Sequence, residues 1–445
     1  MLAQQENFPF TLYNDLRNVP PAQKDSTAER TRTMSMERTS GTDPLRRHGY
    51  PMMVVLCLSY IAFAMNWVAG SSLSREINLH FWGTAAISPV VSQAVNYSIT
   101  FARVIANLLA AFVLTRLGSK KAPALAIFLM TSALIAIYLP NYWAYTIARM
   151  FMGLGGSMVI VYTNPVLSHY IQHPRTKLRI SGANTASYNI GAFIVSLLFT
   201  LFPQIMTWNW QVTLTITAVL TVILFVVWLC KAENFPIHKT ASGDLLKYGY
   251  RDALRDPFLW KYALGFSGFL VIYVIPITSL KSVLDEYTTL TGSLVALLVA
   301  SGALIGTVIG IRLGNTGMRR KPVLLVSGIL MTVFMAGTVL LPGKFAVLAY
   351  LCALLSGAAQ FSQYVVYMNI PHEMKGNSPQ KLTTIFGLFW GISYAIFTVI
   401  QIIWSYLLGT AGYIPAMLFF LACTCQYVIF AVFLPETKPR SSASV

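Results

Sequence analysis

The chain has 445 residues, 56% hydrophobic and 11% charged, with 32 Lys/Arg against 15 Asp/Glu and a formal net charge of +17. Soluble domains carry about 25% charged residues, so this composition excludes an ordinary soluble domain and indicates a polytopic membrane protein. Nor does the charge mark a nucleic-acid surface, because most of the excess lies in short segments between apolar spans rather than in one patch.

The tail 1–48, rich in Ser, Thr and charges of both signs, is expected to be disordered. No basic segment followed by an apolar h-region opens the chain, so no cleavable signal peptide is expected and the first span should insert directly. A bilayer core about 30 Å thick takes about 20 apolar residues per helix. Twelve stretches qualify, near 52–72, 90–114, 120–140, 143–167, 179–202, 209–230, 258–280, 293–313, 321–341, 345–368, 382–407 and 413–434. The polar segment 231–257 divides them into an amino-terminal half, 49–230, and a carboxyl-terminal half, 258–435, followed by a short tail, 436–445. Asp256 before Pro257 is a helix-start signal for span seven. The predicted fold class is an all-α membrane protein of twelve transmembrane helices in two six-helix pseudo-symmetric halves.

Twelve spans with the amino terminus inside place 27 of the 32 Lys/Arg in cytoplasmic segments or at their edges. Arg75, Lys281 and Lys344 fall outside, and Arg103 and Arg149 lie within spans. One helix more or fewer would move every later loop to the other side, so the asymmetry supports both the count and cytoplasmic termini. Cys57, Cys230, Cys352, Cys423 and Cys425 lie in apolar spans or at their ends, in neither a disulfide framework nor a zinc-ligand spacing. They read as packing residues, and no metal or other cofactor is expected.

The loop after span two reads AFVLTRLGSKK (111–121) and that after span eight GIRLGNTGMRR (310–320). Aligned on Gly118 and Gly317, each places basic residues just past a glycine, an internal-repeat signature. In this the chain resembles the major facilitator superfamily, whose halves each carry a Gly-x-x-x-Asp-Arg-x-Gly-Arg-Arg-like loop between their second and third helices. Arg116, Gly118, Lys120 and Lys121 match in the first copy, and Gly310, Gly317, Arg319 and Arg320 in the second. Ala111, Thr115 and the pair Gly314-Asn315 depart from the pattern. Span four contains ARMFMGLGG, where Arg149, Gly153 and Gly155 reproduce the family's Arg-x-x-x-Gly-x-Gly element, and LPETKPR (434–440) resembles the ending of sugar-porter-like members. The resemblance implies alternating access by two rocking halves, with these residues as conformational elements.

Small residues let membrane helices approach closely. They recur at i, i+4 and i+8 in span two (Ala102, Ala106, Ala110), span five (Ala183, Ser187, Gly191), span eight (Gly302, Gly306, Gly310) and span eleven (Gly387, Gly391, Ala395). In the resembled family two faces eleven and five faces eight across the halves, so the stripes read either as rocking surfaces or as tight packing. Lys281 and Asp285, four apart at the outer end of span seven, read as an i, i+4 ion pair that can also serve as a gate.

Arg103, in SITFARVIANLL (98–109), lies eleven residues from the end of span two near Leu114, about 16 Å deep at ~1.5 Å per residue. Asn96, Thr100, Arg103 and Asn107 form one polar stripe. Every acidic residue falls in a tail, loop or helix end. Arg103 therefore has no fixed ionic partner, and polar groups, helix dipoles, water or a transported anion must stabilise it. An anion-binding role and a structural role bonded to carbonyls and asparagines both stay open. Further wall candidates are Asn66 and Trp67 on span one, Asn184 and Tyr188 on five, and Tyr273 on seven. Spans ten and eleven add Gln360, Tyr364, Tyr367, Trp390, Tyr394 and Gln401. Aromatic residues with amide partners suit a small organic anion or a polar organic molecule, although each alone also serves as interhelical glue.

All six histidines lie outside the apolar spans, which disfavours proton symport through a midplane acid and export of cationic drugs. No Walker loop or embedded catalytic triad is apparent, so an enzyme is not expected. The expected function is a secondary active or facilitative carrier, such as an antiporter, for a small organic anion. It is placed as a monomer in a bacterial inner membrane, with lipid and a small-molecule substrate as partners and no nucleic acid. The alternatives are a carrier of a neutral polar solute (sugar, polyol or nucleoside) and a non-transporting membrane receptor.

Overall fold

The computed structural model describes residues 49–84, 87–170, 174–236, 249–341, 343–374 and 379–438. The tail 1–48, the middle of the linker, most of the carboxyl-terminal tail and the side chain of Ala183 lie outside the described residues.

In hydrocarbon the backbone finds hydrogen-bond partners only within itself, and the apolar stretches accordingly form helices. Span one is Tyr50–Ser72, and spans two and three are the two arms of Ala94–Ile137. Span four is Tyr142–Tyr170, five Pro174–Leu201, six Trp210–Lys231, seven Pro257–Thr278 and eight Gly292–Gly314. Span nine is Arg320–Leu340, ten Ala346–Glu373, eleven Pro379–Thr410 and twelve Tyr413–Phe433. Ten helices among the described residues are long and apolar enough to cross a membrane. One of them carries two spans, and span five, whose apolar part is the shorter Ala186–Leu201, completes the twelve. Span seven ends before the predicted boundary, and a separate helix, Leu280–Tyr287, follows it.

Spans two and three join without a loop because Gly118 takes φ 81° and ψ 177°, a left-handed conformation free of strain only without a Cβ. Asn209 caps span six through the N–H groups of Gln211 and Val212, and Asp256 caps span seven through that of Phe258, as the sequence predicts for the latter.

Across the halves, span two packs on eleven and span five on eight. The glycine stripe of span eight does not form the second of these surfaces. A methyl group would stand 2.0 Å from the Leu354 carbonyl oxygen at Gly302, 2.3 Å from that of Ala358 at Gly306 and 2.6 Å from that of Phe361 at Gly310. All three glycines therefore dock span eight onto span ten, inside one half, which corrects their reading as rocking residues. Gly191 likewise faces Ile61 of span one, at 2.5 Å from its carbonyl oxygen. Gly153 and Gly155 seat span four against Ile99 of span two and Ala126 of span three. Gly387 and Gly391 do face the other half, with Cβ positions 3.6 Å from the Asn107 carbonyl oxygen and 3.4 Å from Leu108. Ala110 instead turns its carbonyl to the Tyr162 hydroxyl of span four, 3.2 Å away.

Candidate functional site

Arg103 is 4% exposed and is met from both halves. Its Nη2 donates to the Tyr60 hydroxyl at 3.2 Å. Its Cζ lies 4.5 Å from the ring centre of Tyr394 in span eleven, and 5.4 and 5.5 Å from those of Phe63 and Trp67 in span one. Aromatic faces attract a cation but do not neutralise it. Nε has no partner, and among the described residues Arg103 makes no ion pair.

Around this centre Tyr188 packs 5.8 Å from Tyr60, 6.0 Å from Trp67 and 6.0 Å from Tyr273, and its hydroxyl has no partner. Asn184, one turn away on span five, has an unpartnered Oδ1. Trp390 stacks on Tyr394 at 5.9 Å, and Tyr364 stacks on Phe361 at 5.3 Å. Asn107 follows one turn nearer the Gly118 end, half-buried. Tyr273 donates to Asn189 of span five, tying the halves together beside the cluster.

Three predicted wall residues are committed elsewhere. The Asn66 amide donates to the Thr217 and Ala62 carbonyls and accepts from the Thr217 hydroxyl, so it joins spans one and six. Tyr367 and Tyr262 exchange hydrogen bonds with each other's carbonyls, locking ten to seven. Gln360 donates to the Ile272 carbonyl and to Ser356, leaving only Oε1 unpartnered. Arg149, 1% exposed, donates to the Asn66 carbonyl at 2.6 Å and lies against Gly70, so its place is within the first half.

At the end away from Gly118, hereafter the far end, a polar knot closes the halves. Ser279 donates to Gln93 Oε1 at 2.7 Å and accepts from Gln401 Nε2 at 3.0 Å. Asn96 Nδ2 donates to Gln93 Oε1 at 2.6 Å and reaches Ser279 at 3.4 Å. Deeper in, the Thr398 hydroxyl donates to that of Thr100 at 2.8 Å. Asn96 and Gln401 thus belong to a seal rather than to the wall around Arg103.

Lys281 and Asp285 do not form the predicted ion pair. Asp285 accepts from the Gly292 N–H at 2.7 Å, fixing the start of span eight. The Lys281 ammonium instead crosses to the other half and sits 4.0 Å from the ring centre of Phe199 in span five. Burial pushes this amine down from 10.5 to about 8, against the opposing pull of Asp285 and Glu76. Parting of the seal would restore the ordinary value, so the sealed state binds fewer protons between about 8 and 10.5. Raising the pH through that window should favour the sealed state. Spin labels at the exposed positions Trp82 and Tyr287 should report a growing closed fraction, and Lys281→Met should flatten the profile.

The opposite, basic end is built by the two motif copies in different ways. In the first, the Ser119 hydroxyl bonds Asn234 and the backbone of Phe235, and the Lys120 carbonyl accepts from Trp228. Arg116 is exposed over the Phe112 ring. In the second, Arg320 is almost fully buried and forks onto Glu373 at 2.7 and 3.1 Å while donating to the carbonyls of Leu313, Gly314 and Thr316. Glu436 accepts the N–H groups of Arg320, Lys321 and Lys438, with Arg319 at 3.6 Å. Gly317 is exposed, with open space where a Cβ would be.

The sequence pattern of the Major Facilitator Superfamily matches residues 52–398. An uncharacterized protein of Mesomycoplasma hyopneumoniae is 26% identical over 395 residues, covering 80% of this chain and 81% of its own length. A major facilitator superfamily transporter of Mycoplasma genitalium is 25% identical over 343 residues, covering 67% of this chain and 60% of its own. Among solved structures, a D-xylose-proton symporter superposes with a TM-score of 0.69 at 13% identity, covering 87% of this chain and 98% of that one. At that identity the likeness shows the fold alone.

Proposed function

This chain belongs to the Major Facilitator Superfamily and is a membrane transporter; from that premise we propose that it carries a small organic anion by alternating access, with Arg103 as the anion site. The observation that carries the reading is a buried guanidinium with an unpartnered Nε and no ion pair among the described residues that is met by aromatic rings from both halves, whereas Arg149, with Nε and Nη1 unpartnered, lies within the first half alone. A buried cation is costly until an opposite charge reaches it. A carboxylate or phosphate supplies that charge and can use the planar fork. Tyr60, Trp67, Tyr188 and Asn184 on one half and Tyr394, Trp390 and Tyr364 on the other then enclose the organic part, so both halves grip one substrate. The costly empty site favours exchange of one anion for another over transit of the empty carrier. The basic end faces the cytoplasm, both termini lie there, and the carrier works as a monomer in a bacterial inner membrane, its relatives being bacterial.

A second reading, carriage of a neutral polar solute, draws on the unpartnered Asn184 Oδ1 and Tyr188 hydroxyl, which need no charge on the ligand. Reconstituted vesicles given labelled carboxylates, sugar phosphates and neutral sugars separate the two. Saturable anion uptake that disappears in Arg103→Gln supports the anion reading. Uptake confined to neutral sugars and indifferent to that substitution overturns it.

A further inference from the structure

Trp67 touches both the central cation and the far seal. Its ring centre lies 5.5 Å from the Arg103 Cζ, and its Nε1–H donates to Asn96 Oδ1 at 2.8 Å. The indole is a donor only, so it dictates which end of the Asn96 amide it faces. With the oxygen held by Trp67 and by Ser71 at 3.0 Å, the amide nitrogen is left to Gln93 and Ser279. A reversed amide would set two carbonyl oxygens, those of Asn96 and Gln93, against each other. The indole N–H thus holds the Asn96 amide in the orientation that supports the Ser279–Gln93 hydrogen bond between the halves.

We propose that Trp67 relays the charge state of Arg103 to the far seal: an anion that neutralises the guanidinium releases the indole, the Asn96 amide loses its fixed orientation, and the contact with Ser279 and Gln93 weakens. The proposal rests on the anion reading above. Cation–π attraction depends on the net charge over the ring and weakens when a carboxylate pairs with the guanidinium. A small rotation of the indole then suffices, because a hydrogen bond loses strength steeply as its angle closes. The empty carrier keeps its far end shut, and loading loosens that end without the anion touching it.

The relay can be tested without knowing the substrate, since Arg103→Gln removes the same charge. The reporter is Ser405→Cys in a background with the five native cysteines replaced. Ser405 is fully buried and bonds the Gln401 carbonyl just beyond the knot, so it meets an impermeant maleimide only when the far end opens. Arg103→Gln should raise the labelling rate about tenfold, the scale of a lost desolvated cation–π contact. Trp67→Phe, which keeps a ring and deletes the donor, should also raise it. The double variant should label no faster than Trp67→Phe alone, because both changes break one chain of contacts. Unchanged labelling in Trp67→Phe, or fully additive effects, overturns the relay, and the first arm stands even if Arg103→Gln does not fold. The vesicle uptake experiment decides the anion reading separately, so the two failures are distinguishable.

Discussion

Replacing Arg320 by methionine is expected to lower the thermal stability of the purified protein more than any other single change at the basic end. The guanidinium satisfies Glu373 through two hydrogen bonds and three carbonyls at the end of span eight. Methionine fills similar volume but leaves the partly buried Glu373 with only the Thr437 hydroxyl and the Lys438 ammonium, and takes one donor from each of those carbonyls. Breaking one side of such a pair costs about 3 kcal/mol or more. Thermal denaturation followed by intrinsic fluorescence should place Arg320→Met well below the wild type. Arg320→Lys should fall between them, since an ammonium keeps the charge and loses the fork. Arg319→Met is the control: its 3.6 Å contact with Glu436 is made by a side chain 44% exposed, and exposed pairs contribute little. An equal loss in Arg319→Met and Arg320→Met would show that net charge, not the buried fork, holds this end.

Acid should act on the neighbouring group in a defined direction. Burial pushes the Glu436 carboxyl up, but the N–H groups of Arg320, Lys438 and Lys321, with the Arg319 charge, hold it below the usual carboxylate range. Its support of span nine is therefore complete above the ordinary carboxylate pKa and is lost as the pH falls below it.

The helix count was legible because apolar length and the placement of Lys and Arg are both written locally. Span five marks where that legibility thins: its first residues, PRTKLR, are polar, and only Ala186–Leu201 carries the apolar signal. The ion-pair knot was not legible. Glu373 and Glu436 stand 53 and 116 residues from Arg320, and in the sequence each is simply a charge at a helix end. Their meeting depends on which helix ends lie side by side. The glycines of span eight illustrate the same limit, because spacing by four defines a face of a helix and not the neighbour that covers it.

At the centre, the sequence identified Arg103 as lacking an acidic partner because all fifteen carboxylates could be located. It did not single out Tyr60 and Phe63, although Tyr60, Phe63 and Trp67 repeat at three and four residues on one face of span one. An aromatic stripe of that kind is indistinguishable from core packing until a cation is seen beside it. Asn66 erred in the other direction, for a buried amide advertises a polar site while its actual partners on span six are invisible in the sequence.

The last expected result separates a site kept for its ligand from one kept for stability. Arg103→Gln keeps a polar amide, ending two bonds short of the Nη2 that reaches Tyr60, and removes the charge. If the charge serves the transported anion, uptake at low substrate concentration should fall about a hundredfold or more, since charge-assisted hydrogen bonds contribute ~1.5–3 kcal/mol each. The same substitution relieves the fold of a buried, unneutralised cation, so its melting temperature should not fall and is expected to rise. Arg103→Lys should keep part of the uptake, because a point charge attracts an anion without matching its planar oxygens. Ligand should raise the melting temperature of the wild type in proportion to occupancy and leave that of Arg103→Gln unmoved. Had the guanidinium been a structural tie, the substitution would lower stability, as expected at Arg320, and uptake with it. Opposite signs of stability and transport at Arg103, against a loss of stability at Arg320, would distinguish these two buried arginines by function.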